Sequence, residues 1–335
     1  MRLKLLPVLA VLAVLVALPA TASARVTVGM SENNPQMFAD PNYQALNMQT
    51  TRIVVAWDAI SRGLTGDDEI TSRVRPYIEA ATARGIDVFV TFEHSRGDAS
   101  KCKKNRSLSQ CKLPSRAKYE ANVRAFLEAF PQVTTFATWN EANHNTQPTF
   151  RNARTAARFA KIGEKVCREL VRTCKIVALD LLDQADNVKA SKPTYRSLTK
   201  YVKTFRAAYG KKPAICGLHT YSDVNRFRDA GTKAMIKALG CKKYWMTESG
   251  GLFDFASFWN KAQRKRYKCS SAGACQLKAT KYLFKLLRKY SKIERAYIHS
   301  YYGSHSPRFD AGLVKGAPGA TTKPRPAYRE VKKHT

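Results

Sequence analysis

Two glutamates follow short apolar runs in the same manner: Glu141 in FATWNEANHN, residues 136–145, and Glu248 in YWMTESG, residues 244–250. A carboxylate that closes a strand is aimed at whatever space the strand ends share. Two of them flanking one bond can divide the labour, one serving as acid and then base, the other as nucleophile. Taken singly, either motif is weak, because Asn-Glu after a strand is commonly a solvated loop. The pair gains meaning only if the elements that carry it face each other across one cleft.

The rest of the chain supplies such elements. Short β-branched or aromatic runs recur eight times, as RVTVGM, RIVVAWD, DVFVTFEH, TTFATWNE, KIVALD, AICGLHTY, YWMTESG and RAYIHSYYG. Helical spacing fills most of the intervals, for example Ile78, Ala81 and Ala83 after the second run, or Phe159, Ile162, Val166 and Leu170 after the fourth. Strand and helix alternating eight times predict an α/β protein, a (β/α)8 TIM barrel, with residues 25–335 forming one domain. A doubly wound sheet fits less well, since GMSENNPQM after the first run is no glycine-rich phosphate turn. In a barrel, Glu141 ends the fourth strand and Glu248 the seventh, so both point into the cleft at the strands' C-terminal ends.

At this point the chain resembles glycoside hydrolase clan A. TWNEAN followed about a hundred residues later by WMTESG is similar to the clan's acid/base Asn-Glu and nucleophile Glu, and the likeness covers nearly the whole chain after its first residues. Arg52 resembles the clan's second-strand arginine, His219 and Tyr221 in GLHTY its sixth-strand His-x-Tyr pair, and FDAGLVKGAPGATTKPRPAY its closing segment. The resemblance implies a retaining double displacement. Glu248 attacks while ionised, helped by Arg52 and Tyr221; Glu141 starts protonated; Asn140 bonds the sugar 2-hydroxyl; and the two carboxyl groups lie about 5 to 5.5 Å apart. One departure stands out. Where the clan carries a tryptophan as the floor of the sugar subsite, this chain has Tyr301 and Tyr302, and Tyr301 is the expected replacement.

Further strand-end polar groups are candidates for lining the cleft: Glu32, Asp58, Glu93, His94, Asp180 and Asp183. His94 is taken as a substrate contact and most of the others as scaffolding. Trp57, Trp139 and Trp259 are candidates for stacking on sugar rings, while Trp245 reads as core. No CxxC, HExxH or histidine cluster occurs, so neither metal nor cofactor is expected.

The chain ends carry less chemistry and more address. Residues 1–24 read as a secretory signal, with Arg2 and Lys4, an apolar stretch, and small residues ending at Ala24. Its removal leaves a net charge of +31 from +33, a secreted or extracytoplasmic protein, and no stretch apolar enough for a membrane anchor. The eight cysteines then favour disulfides, and proximity suggests Cys102 with Cys111, Cys167 with Cys174, Cys216 with Cys241, and Cys269 with Cys275, although 105 pairings are formally open. From Lys261 to Lys292 there are eleven cations and no acid, part of them in a basic loop after the seventh strand. That loop nominates an anionic polysaccharide as substrate. No nucleic-acid motif accompanies the charge. The alternatives to a secreted glycosidase are a non-catalytic binder of anionic glycans or cell-envelope polymers, and a transglycosylase using the same glutamates.

Overall fold

The computed structural model describes residues 26–63, 68–170, 173–187, 190–256, 258–303 and 309–335; the expected signal segment lies outside them. Eight parallel strands close into a barrel in chain order: β1 (Thr27–Ser31), β2 (Thr50–Ala56), β3 (Asp87–Glu93), β4 (Thr135–Ala137), β5 (Lys175–Leu182), β6 (Ile215–His219), β7 (Lys243–Ser249) and β8 (Ile293–His299). β8 returns to pair with β1, so no edge is left open. The fold is therefore a (β/α)8 barrel, and every run singled out in the sequence contributes one of its strands.

Helices wrap the outside. The largest are Arg116–Ala129, Ala153–Leu170, Arg196–Tyr209 and Ala272–Lys289. Ala153–Leu170 buries Phe159, Ile162 and Val166 as the spacing predicts, but Leu170 at its end is exposed. In Arg75–Thr82, Tyr77, Ile78 and Ala81 are buried, whereas Ala83 falls past the last turn and faces solvent. Among the described residues, no helix is long and apolar enough to cross a membrane.

Period-two alternation divides each strand between two cores. Along β3, Val88, Val90 and Phe92 join the strand–helix core, while Phe89 turns into the barrel with Ala137, Val177, Ile215, Trp245 and Tyr297. This apolar plug, with Trp245 inside it as expected, fills the barrel's middle. Above it sits a polar layer that includes Arg52, Thr91, Asp180 and Thr247, all buried. The candidate site is built on that layer.

Disulfides join the four neighbouring pairs, Cys102–Cys111, Cys167–Cys174, Cys216–Cys241 and Cys269–Cys275. The basic segment after β7 is a helix, Lys261–Tyr267, rather than a flexible loop. Asn260 caps it, Lys278 donates to the Tyr267 carbonyl (2.7 Å), and Cys269–Cys275 ties it to the following helix.

Candidate active site

β4 ends at Ala137, sooner than its apolar run suggests, and the next four residues are shaped by their neighbours. The Asn140 N–H donates to the Phe92 carbonyl (2.7 Å) and the Ala142 N–H to the Asp180 carbonyl (2.9 Å), bracketing Glu141. Glu141 itself sits at φ 40°, in the left-handed region that a side chain enters at a cost of roughly 1–3 kcal/mol. Those two flanking bonds hold it there, with its carboxylate over the cleft.

Glu248 reaches the cleft by a different irregularity. The Thr247 side chain points into the barrel, donating to Asp180, so strict alternation would turn Glu248 outward. The β6–β7 register shifts between Gly217 and His219, and His219 then pairs with Glu248. A Glu141 oxygen, a Glu248 oxygen and a His219 nitrogen consequently all lie within 4.8 Å of one another.

Arg52 organises this cluster from below and is fully buried. Its Nε donates to Thr91 Oγ1 (3.0 Å), Nη1 to Ser31 Oγ (2.9 Å) and Glu248 Oε2 (2.6 Å), and Nη2 to Asn140 Oδ1 (2.8 Å), with Asp180 Oδ2 at 3.6 Å. The Tyr221 hydroxyl donates to the other Glu248 oxygen (2.8 Å). Burial by itself would raise the Glu248 pKa. The facing imidazoles of His299 and His219, the Arg52 guanidinium and the Tyr221 bond outweigh burial and hold Glu248 well below the ordinary carboxylate range. An ionised carboxylate aimed at the cleft is the state a nucleophile requires.

Glu141 has another environment. His219 Nδ1 lies 3.0 Å from its Oε1, and His144 Nδ1 lies 3.6 Å from its Oε2. On the far side of its ring, His219 Nε2 makes a 3.2 Å charge contact with Asp180 Oδ2, outside hydrogen-bond alignment. Burial would lower the His219 pKa, but Asp180 first, then Glu248, push it up to about 10. His219 is thus an imidazolium that donates to Glu141 Oε1. Burial lowers the pKa of His144, so that ring stays neutral beside the second oxygen. The three clustered groups would also reach a metal ion, yet Arg52 and the His219 imidazolium already supply the positive charge there, which disfavours a cation.

No family model matches this chain, and no curated protein does. Solved structures do match, at low identity. A psychrophilic glycoside hydrolase family 10 endo-β-1,4-xylanase superposes with TM-score 0.57 at 16% identity, over 92% of this chain and 96% of the other. The β-glucosidase from Thermotoga maritima in complex with castanospermine gives 0.56 at 12%, over 92% and 96%. A family 39 glycoside hydrolase from Bacteroides cellulosilyticus WH2 gives 0.55 at 9%, over 93% of this chain and 64% of that one. In fold, this chain is similar to these glycoside hydrolase barrels. The clan resemblance read from the sequence thus holds at the level of architecture.

Against that barrel, the nominated residues divide. Glu141, Glu248, Arg52, Asn140, His219 and Tyr221 converge on one spot. Asp180 joins them from beneath, entirely buried, with Arg52, His219 and Thr247 around it. His94 is buried at the end of β3, its Nδ1 on the Ser95 carbonyl (2.6 Å) and its Nε2 3.7 Å from Glu93. Trp57 is half-buried and packs on the core. Glu32 pins the turn after β8, accepting from the Tyr301 and Tyr302 N–H groups (3.2 and 3.1 Å). Asp58 and Glu93 hold Arg62 and Arg96, while Asp183 accepts from the N–H groups of Ser222 and Asp223, so all three are scaffolding.

Three aromatic expectations fail. Tyr301 is completely buried and edge-packed on Tyr43 (5.6 Å), because the Glu32 bonds turn that segment inward, so it offers no sugar platform. Trp139 is stacked on Phe159 with its N–H on Gln147 (3.0 Å), and Trp259 is buried with its N–H on the Leu252 carbonyl (2.6 Å); both are packing residues. The sequence reading also missed His299, which faces Glu248 and meets Tyr221 and Phe309 edge-on or tilted (6.4 and 5.9 Å). Phe309 contacts Tyr221 (5.2 Å) and carries the exposed ring of Phe255 (5.7 Å). His144 was missed as well, although its place three residues after Glu141 was a usable signal.

Proposed function

We propose that this protein is a secreted retaining O-glycoside hydrolase acting on a poly- or oligosaccharide. One observation carries the reading: two glutamates with oxygens within 4.8 Å of one another, one stripped of its proton by Arg52, Tyr221 and facing imidazoles, the other joined to His219. That proximity suits the short separation of a retaining pair better than the wider gap of an inverting one. Glu248 attacks the anomeric carbon, the glycosidic bond breaks, and Glu141 delivers its proton to the leaving oxygen from Oε2, since Oε1 is held by His219. Glu141 then takes a proton from water, whose oxygen displaces Glu248 from the sugar. Asn140, with Oδ1 committed to Arg52, keeps its amide N–H groups for the sugar 2-hydroxyl. Phe255 and Phe309 supply the aromatic surface that Tyr301 does not.

The chain's net charge of +33 and the cationic helix Lys261–Tyr267 after β7 support an anionic polysaccharide as substrate. The test is reducing-sugar release from neutral and acidic polysaccharides by the wild-type chain and by Glu141→Gln and Glu248→Gln. Release that disappears in both variants, with the anomeric configuration retained in the first product, is the expected result. Retained binding with no release by any of the three would sink the hydrolase reading and leave a glycan binder.

A further inference from the structure

Away from the cleft, the barrel's outer wall holds a feature that hydrolysis does not use. Helices Ala153–Leu170 and Arg196–Tyr209 pack side by side with two adjoining grooves of about 820 and 720 Å³ along them, and a third of about 830 Å³ continues over Arg196–Tyr209 to the next helix, Ala230–Leu239. The first and second share Arg154 and Thr204; the second and third share Lys203 and Ala207. The first starts at Asn143, Gln184 and Ala185, on the loops after β4 and β5 that border Glu141. The third ends by Gly210, which caps Arg196–Tyr209, and by Ala238 near the end of Ala230–Leu239.

The middle groove is lined by Arg116, Arg154, Arg158, Lys161 and Lys203, with only Thr204, Ala207 and Ala208 between them. No acid lines it, and none of the five cations has an ion pair among the described residues. Nearby acids are already engaged: Glu164 with Lys211 (2.8 Å), Glu120 with Lys165 (2.7 Å), and Asp186 with the Arg196 and Ser197 N–H groups (2.7 and 3.2 Å). Arg154, Arg158 and Lys161 recur at i, i+4 and i+7, a single row rising about 5.4 Å per turn. Like charges at this spacing weaken a helix by a few tenths of a kcal/mol per pair. What sets this row apart is that Arg116 and Lys203 from two neighbouring helices close it into one groove with no acid on its walls, where an anion from outside would be met by several cations at once.

We propose that these grooves form a track that binds an anionic polysaccharide, separate from the cleft and leading toward it. The choice of polysaccharide rests on the hydrolase reading; the anion-binding role rests on the groove alone. Nucleic acid fits less well, because the middle groove has small side chains and no aromatic face for bases. In the first groove, the Phe150 ring is already contacted by Arg151 and Arg106 (5.8 and 5.9 Å). A polyuronate presents one carboxylate per sugar along a flexible chain, which matches a row of cations repeated turn by turn.

The test titrates fluorescein-labelled polygalacturonate with the full chain carrying Glu248→Gln, and in parallel Glu141→Gln, so that no turnover consumes the probe. Adding Arg154→Gln, Arg158→Gln and Lys203→Gln, all at exposed positions, should weaken binding about tenfold or more at about 50 mM salt and flatten the salt dependence by about two in log–log slope. Neutralising Lys281, Lys285 and Arg288 on the helix Ala272–Lys289 should leave it unchanged. Equal loss from both triples, or no binding in the starting variants, overturns the track. So does tighter binding of single-stranded DNA than of polygalacturonate, by about tenfold. Absence of sugar release by the wild-type chain would count against the hydrolase alone, since this titration reads binding without turnover.

Discussion

Buried with no partners, the Arg52 guanidinium would be costly; instead its donors meet Thr91, Ser31, Glu248 and Asn140, with Asp180 in range. The net worth of such a cluster is modest, but breaking it from one side strands charges in the dry barrel. Arg52→Met should therefore lower stability by about 3–5 kcal/mol, read by urea unfolding, and abolish sugar release. Arg52→Lys keeps the charge but not the fork, and should fold while losing about 10²-fold or more in kcat/KM. His219 makes a prediction about pH. Its pKa is about 10 in the folded protein against an ordinary value of 6.5. Between those limits the folded protein holds a proton that the unfolded chain has released, so stability falls as pH rises from about 6.5 to 10. His219→Gln should flatten that decline in thermal unfolding across the alkaline range; an unchanged slope would mean that the imidazolium is not formed.

At the level of elements, the site depends on departures from regular structure. Glu141 stands at φ 40° past the end of β4, and Glu248 is brought over the cleft by the β6–β7 register shift. Gly217 lies at that shift, and a Cβ there would meet Asp180 Oδ1 at 2.0 Å and Thr247 Oγ1 at 2.7 Å. Only a hydrogen allows Asp180 to sit against the strand beneath Arg52 and His219. Gly217→Ala should displace that carboxylate, costing about 1–3 kcal/mol in thermal stability together with most of the activity. A variant with wild-type turnover would show that Asp180 does not position the pair. The alternation of each strand was visible in the sequence. Its two interruptions were not, because a bulge depends on what the neighbouring strands pair with.

For the whole molecule, a net charge of +33 makes association with any polyanion sensitive to ionic strength. Hydrolysis of an acidic polysaccharide should accordingly slow several-fold between about 50 and 300 mM salt, while cleavage of a small neutral glycoside by the same preparation stays constant. Equal salt sensitivity for both substrates would place the effect in the Glu141–Glu248 cluster rather than in long-range attraction. The same charge is distributed over distinct surfaces, the helix after β7 and the grooves on the outer wall, and sequence proximity hinted only at the first.

By itself the sequence determined the barrel, since eight apolar runs separated by helical spacing admit few other architectures, and it nominated Glu141, Glu248, Arg52, Asn140, His219 and Tyr221, whose neighbours in the chain are distinctive. Tertiary structure decided which rings face the cleft. Tyr301, Trp139 and Trp259 turned inward because hydrogen bonds and packing from distant segments claimed them, while His299 turned toward Glu248. It also joined Arg116, Arg154, Arg158, Lys161 and Lys203 from three helices into one groove. Side-chain direction at a strand end, and adjacency between helices, are set by partners far away in the chain, and local pattern carries no record of them.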